Sequence, residues 1–105
     1  LGVKAGVNPE IMHRVISKGS GRSWAVEDRL PLVMEGHFNP GFTIDLHAKD
    51  MQIAVETAKD LKVPVYGVAL AYELFKTAQV KGYGKLDNCA LVKVYEDLVG
   101  IEIRK

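Results

Sequence analysis

Two charged neighbours, Lys49 and Asp50, are the residues of this sequence best suited to chemistry. Successive residues leave a helix about 100° apart, so the two are expected to face different surroundings rather than form an ordinary surface pair. Two readings stay open. In the first, Lys49 bridges back to Asp45 on a solvated face and Asp50 pairs with His47 on an apolar one, contacts worth ~1 kcal/mol or less. In the second, Lys49 reaches out of its helix to a ligand held by a neighbouring domain, with Asp50 buried to fix the helix end. Other motifs carry less. Gly19-Ser20-Gly21-Arg22-Ser23 offers backbone N–H groups ahead of a helix, where an anion could bind. It lacks the spacing of a dinucleotide fingerprint and follows a helix, so an interhelical loop is the simpler reading. His13, His37 and His47 are too scattered for a metal site, and no serine or cysteine stands in a nucleophile context. The sequence therefore offers no catalytic residue and no metal ligand set.

The elements that must position Lys49 and Asp50 follow from apolar periodicity. Asn8 as N-cap and Pro9 at the first helical position open a helix to about Lys18, with Ile11, Met12, Val15 and Ile16 at helical spacing. Gly19-Ser20-Gly21 ends it. Ser23 caps a segment carrying Trp24, Val26, Leu30, Leu32, Val33 and Met34, in which Pro31 forces a new start or a kink. Asn39-Pro40-Gly41 supplies a turn. The longest helix runs from about Thr43 to Leu61. Ile44, Ala48, Met51, Val55 and Ala58 form one stripe, and Leu46, Ile53, Ala54 and Leu61 widen the apolar arc, which predicts a helix central to the fold. Only Asp45, Lys49, Gln52, Glu56 and Lys59 remain for water. His47 and Asp50 fall on the apolar side, where each needs a partner or a cavity. Val63-Pro64 opens the next helix, apolar nearly all round and thinned by Gly67, Ala69 and Ala71, which suits a core or a subunit interface. Asp87 caps a last helix with Leu91, Val94, Tyr95 and Leu98 on one face. Ile101-Glu102-Ile103 alternates like a strand with no sheet to join.

Composition sets the outer limits. A chain of 105 residues with 48% hydrophobic residues supports one domain with one core, expected to be all-α with about five packed helices. A net charge of +1 gives no field to gather nucleic acid or an anionic membrane. No apolar run approaches the ~20 residues of a membrane span. The single cysteine, Cys89, has no intrachain partner and fits a reducing cytoplasm. Leu1 to Gly6 reads as the last turn of a helix stopped by glycine, as if the chain continued a larger protein.

Pro40-Gly41-Phe42, then Leu46, then Lys49 through Glu56 resembles the cofactor-binding signature of the β-hydroxyacid dehydrogenase family, which includes 3-hydroxyisobutyrate dehydrogenase and tartronate semialdehyde reductase. The resemblance extends through Ala5-Gly6-Val7-Asn8-Pro9, the Gly19 to Ser23 loop and Gly82-Tyr83-Gly84-Lys85-Leu86-Asp87, and so covers almost the whole chain. It implies a helical C-terminal domain like that of 6-phosphogluconate dehydrogenase, spanning residues 1–105. By the same resemblance Lys49 approaches the nicotinamide end of NAD or NADP, with Asp50 and Phe42 lining the same region. The partner substrate is then a small hydroxyacid, the assembly a homo-oligomer, and the reaction reversible hydride transfer. Gln52, where the family commonly has glycine, and Glu56, where it has aspartate, depart from the pattern. The family's glycine-rich loop and catalytic lysine would lie upstream of residue 1, so the isolated chain is expected to neither turn over nor bind the dinucleotide tightly. The rival reading is a non-catalytic helical dimerisation or interaction module with Lys49 and Asp50 in ordinary ion pairs.

Overall fold

A computed structural model describes residues 1–105. The expected all-α architecture is present: α1 (Pro9–Lys18), α2 (Leu30–Met34), α3 (Ile44–Leu61), α4 (Tyr66–Val80) and α5 (Val92–Val99). The ends follow local chemistry. The Asn8 side chain accepts from the N–H groups of Glu10 and Ile11 to start α1, and the Thr43 side chain accepts from Leu46 N to start α3. Lys62, in the left-handed conformation at φ 56°, closes α3. Leu1 to Gly6 makes one helical turn, ended where Gly6 takes φ +92° and Val7 N donates to Gly2 O.

Pro31 has a more specific effect than a kink. It has no N–H for the carbonyl of Glu27, and the chain before it widens into a π-helical turn, Ala25–Arg29, in which Leu30 N donates back to Ala25 O. The last helix also starts differently from its sequence pattern. Asn88–Leu91 forms a 3-10 turn that runs into α5.

The core gathers where the first half of α3 meets the second half of α4 and the start of α5. Ile44, Ala48, Phe75, Ala78, Ala90 and Val94 are buried there, with Phe38, Met51, Tyr83, Leu86 and Leu91 packed around them. Three of the six are alanines, so the helix backbones approach closely, and Ile44 and Phe75 fill the remaining volume at roughly 1.5–3 kcal/mol each. The predicted stripe of α3 is the packed one: Ile44, Ala48 and Ala58 are buried, and Met51 and Val55 are half-buried.

The wider arc is not covered. Ile53 and Leu61 on α3, Val63 in the loop, and Tyr66 and Leu70 on α4 are all exposed, so the far half of the α3–α4 hairpin projects beyond the core with apolar side chains in water. The expectation of a helix buried on most sides is corrected, because α4 and the 3-10 turn before α5 together cover one stripe of α3 and leave the rest of its arc open. The face expected on the last helix is corrected likewise: Val94 is buried, whereas Tyr95 and Leu98 are exposed.

The tail 101–105 joins no sheet, yet it is tied down. Ile103 N donates to Glu96 Oε1, and Arg104 Nη1 donates to the same oxygen at 2.9 Å and to Val33 O at 3.2 Å. Lys105 N donates to Met34 O. Glu96, 5% exposed in its side chain, is thus a buried charge satisfied by a guanidinium and a backbone N–H. No helix is long and apolar enough to cross a membrane.

Candidate cofactor site

The turn before α3 and the segment before α5 are built as one piece. Ile44 N donates to Leu86 O and Asp45 N to Gly84 O, so two N–H groups of the first turn of α3 are satisfied by the chain that leads into α5. Gly84 lies so close to the Asp45 carboxylate that a Cβ there would collide with it. Asp45 in turn accepts from Gln79 Nε2 at 2.9 Å and lies 3.3 Å from Lys85 Nζ. The hydrogen bond from Gln79, followed by the contact with Lys85, holds its carboxyl below the usual range. Asp45 is therefore not the partner of Lys49.

Lys49 and Asp50 stand on the exposed surface of α3. Lys49 Nζ lies 4.0 Å from Asp50 Oδ1, with side chains 61% and 55% exposed, so the separation expected of adjacent residues is overcome by the length of the lysine side chain. Asp50 is not buried at a helix end and does not pair with His47. That histidine lies between Phe42 and Phe75, with ring centroids 5.7 and 4.5 Å away, and Asn88 Nδ2 donates to its Nδ1 at 3.3 Å. At about 100° per residue, Asp50 stands about 60° round α3 from His47 and Lys49 about 160° round, so Lys49 leaves the helix on the side away from His47.

Phe42 is half-buried and sits just ahead of the Thr43 cap. Asp87 and Asn88 hold it. Asp87 Oδ1 accepts from Phe42 N at 3.2 Å and from Gly41 N at 3.0 Å, and Asn88 N donates to Phe42 O at 2.8 Å. Asp87 Oδ2 accepts from Cys89 N at 3.0 Å. Asp87 is 1% exposed, and its only cationic neighbour, Arg29, is 3.9 Å away. Burial pushes its carboxyl up, but the N–H and thiol of Cys89 and the N–H groups of Phe42 and Gly41 outweigh burial and hold it at about 2. The adjoining Cys89 thiol is pushed up to about 12 by burial and then by the Asp87 carboxylate.

The sequence pattern marked Asp87 only as a helix cap and passed over Asn88. Their second role depends on contacts 45 and 46 residues away, which periodicity does not encode. A signal was available in the two consecutive N–H groups of Gly41 and Phe42 ahead of a helix cap, which must find acceptors somewhere.

The five principal concavities of the surface are lined by residues other than Phe42, Lys49 and Asp50. Lys49 and Asp50 lie on open surface, and Phe42 is half-buried. No group of three or more histidine, cysteine or acidic residues is placed to hold a metal ion.

Comparison with known proteins gives this surface a context. Residues 1–95 match the profile of a family described as "NAD-binding of NADP-dependent 3-hydroxyisobutyrate dehydrogenase". Among curated proteins, 2-(hydroxymethyl)glutarate dehydrogenase of Eubacterium barkeri is 39% identical over 104 residues, covering 98% of this chain and 35% of that protein. L-threonate dehydrogenase of Haemophilus influenzae is 36% identical over 95 residues, covering 90% of this chain and 32% of that protein. The crystal structure of 3-hydroxyisobutyrate dehydrogenase from Salmonella typhimurium superposes with a TM-score of 0.86 at 32% identity, over 89% of this chain and 33% of that one. The chain thus spans about a third of the length of the curated relatives it matches. Since the family profile covers all but the last ten residues, this chain belongs to the NAD-binding domain family of NADP-dependent 3-hydroxyisobutyrate dehydrogenases.

Proposed function

We propose that this chain is the helical C-terminal domain of an NAD(P)-dependent hydroxyacid dehydrogenase, working against a dinucleotide-binding domain supplied by a longer polypeptide. Lys49, Asp50 and Phe42 form its contribution to the nicotinamide end of the cleft. When bound, the dinucleotide accepts or returns the hydride. The domain supplies a cation, a ring and the exclusion of water from one side. The observation that carries this reading is the accessible ammonium of Lys49, whose one counter-ion lies at 4.0 Å, on the helix whose Thr43 cap directly follows Phe42. The relatives' names all denote hydroxy acids, which supports a short hydroxyacid or its semialdehyde as the substrate class.

We also infer a homo-oligomer. What supports this is the set of exposed apolar residues on the far half of the hairpin, Ile53, Leu61, Val63, Tyr66 and Leu70, which a second subunit would cover. The lone free thiol of Cys89 suits a reducing compartment such as the cytoplasm. The apolar tip alone would equally serve a non-catalytic dimerisation module, and kinetics separate the two readings. In the complete dehydrogenase, Lys49→Ala should lower kcat/KM for NAD(P) by about 10- to 100-fold, or ~1.4–2.7 kcal/mol, while the thermal midpoint stays in place. Equal kcat/KM in the two proteins would refute the enzymatic role and leave the module.

A further inference from the structure

We propose that Asp87 is the positioning residue of the cofactor wall, setting the stance of Phe42 through the backbone of residues 41 and 42; this rests on the functional reading above. Phe42 is held at three points. Its N–H donates to Asp87 Oδ1 at 3.2 Å, its C=O accepts from Asn88 N at 2.8 Å, and its ring rests against His47 at 5.7 Å. Asp87 is anchored independently of Phe42. Its own N–H donates to Phe38 O at 3.0 Å, its second carboxylate oxygen accepts from Cys89 N, and its side chain is sealed from water. A carboxylate with two oxygens, each aimed at a different element, ties the turn before α3 to the start of the 3-10 turn before α5.

The sequence makes room for this link. A Cβ at Gly41 would stand 3.4 Å from Asp87 Oδ1, in ordinary contact, which shows how closely the carboxylate lies against this turn. The neighbouring Asn88 continues the link from the other side: its Nδ2 reaches His47, while its Oδ1 is buried without a partner. Asp87 points into protein on every side and reaches no surface, so it acts on a ligand only through Phe42. An interaction confined to folding would leave cofactor use unchanged once the protein is folded, whereas a positioning role moves the dinucleotide KM.

Asp87→Asn keeps the shape but has one oxygen, and with that oxygen kept as the cap for Cys89 N it turns an amide donor on the N–H groups of Gly41 and Phe42. Asp87→Ser keeps a cap acceptor for Cys89 and is too short to reach residues 41 and 42, so it serves if the first variant does not fold. In the 105-residue chain, circular dichroism should report a folded protein while amide exchange at Gly41 and Phe42 rises at least about 100-fold relative to α3. In the complete dehydrogenase, with active sites normalised, KM for NAD(P) should rise about 10-fold or more, and more than kcat falls. Unchanged exchange at Gly41 and Phe42, or freed amides with an unchanged KM, would overturn the inference. Were Lys49→Ala also without effect on KM, the functional reading would fall with it; were Lys49→Ala alone effective, only the role of Asp87 would.

Discussion

Replacing Asp87 by asparagine should remove a specific part of this domain's acid sensitivity. The carboxyl of Asp87 ordinarily titrates at 3.8 and is held at about 2 in the fold. Its lowered value means that the folded state favours the charged form by about 2 kcal/mol more than the unfolded chain does, a contribution complete above pH 4 and lost as pH falls toward 2. Little discount for solvent is needed, because the side chain is 1% exposed. Asp87→Asn, its one oxygen kept as the cap for Cys89 N, also sets an amide donor against the N–H groups of Gly41 and Phe42, an unmet buried contact costing about 1–3 kcal/mol at any pH. Urea unfolding of the 105-residue chain at intervals from pH 7 to pH 2 gives both quantities. The variant should be about 3–5 kcal/mol less stable at pH 7, and the gap should shrink by about 2 kcal/mol between pH 4 and pH 2. Asp45 and Asp97, whose carboxyls are also held low, titrate in both proteins and cancel in the difference. Parallel curves across the whole range would refute the argument that backbone N–H groups hold this carboxylate charged.

Two further outcomes follow from the same packing. Because the Cys89 thiol is pushed up to about 12, alkylation by iodoacetamide at pH 8 should run at least about 100-fold slower than for a small free thiol, and a comparable rate would show the sulfur to be open to solvent. Arg104→Met strips the guanidinium from Glu96 and should cost about 2 kcal/mol in chemical denaturation, discounted from a fully buried pair for the 28% exposure of Arg104. Amide exchange at Ile103 should accelerate with it, and an unchanged tail would place the anchor elsewhere.

Much of the fold was legible because it is local. Asn8 caps α1 with Pro9 at its first position as their chemistry marks, α3 starts within a residue of Thr43, and the stripe from Ile44 to Ala58 packs as its spacing dictates. What stayed hidden is long-range. Periodicity says that Leu46, Ile53 and Leu61 are apolar and does not say whether a neighbour covers them, and here none does. Pro31 announced a break, yet the π turn before it reflects which carbonyl the missing N–H leaves behind. The Lys49–Asp50 contact came from side-chain length, which angular position ignores, and the freeing of Lys49 from Asp45 came from Lys85 and Gln79, more than thirty residues downstream. Asp87 looked like an ordinary cap because a cap is half of what it does.

The central claim is that α3 turns a lysine toward a bound nicotinamide dinucleotide, and a crystal structure of the complete dehydrogenase with NAD(P) tests it most directly. The account predicts the Lys49 ammonium within about 6 Å of the nicotinamide end, a range over which a cation still acts on a neighbouring charge, with the Phe42 ring at the same wall. An ammonium pointing into bulk solvent, with the dinucleotide resting on another face of this domain or clear of it, would contradict it.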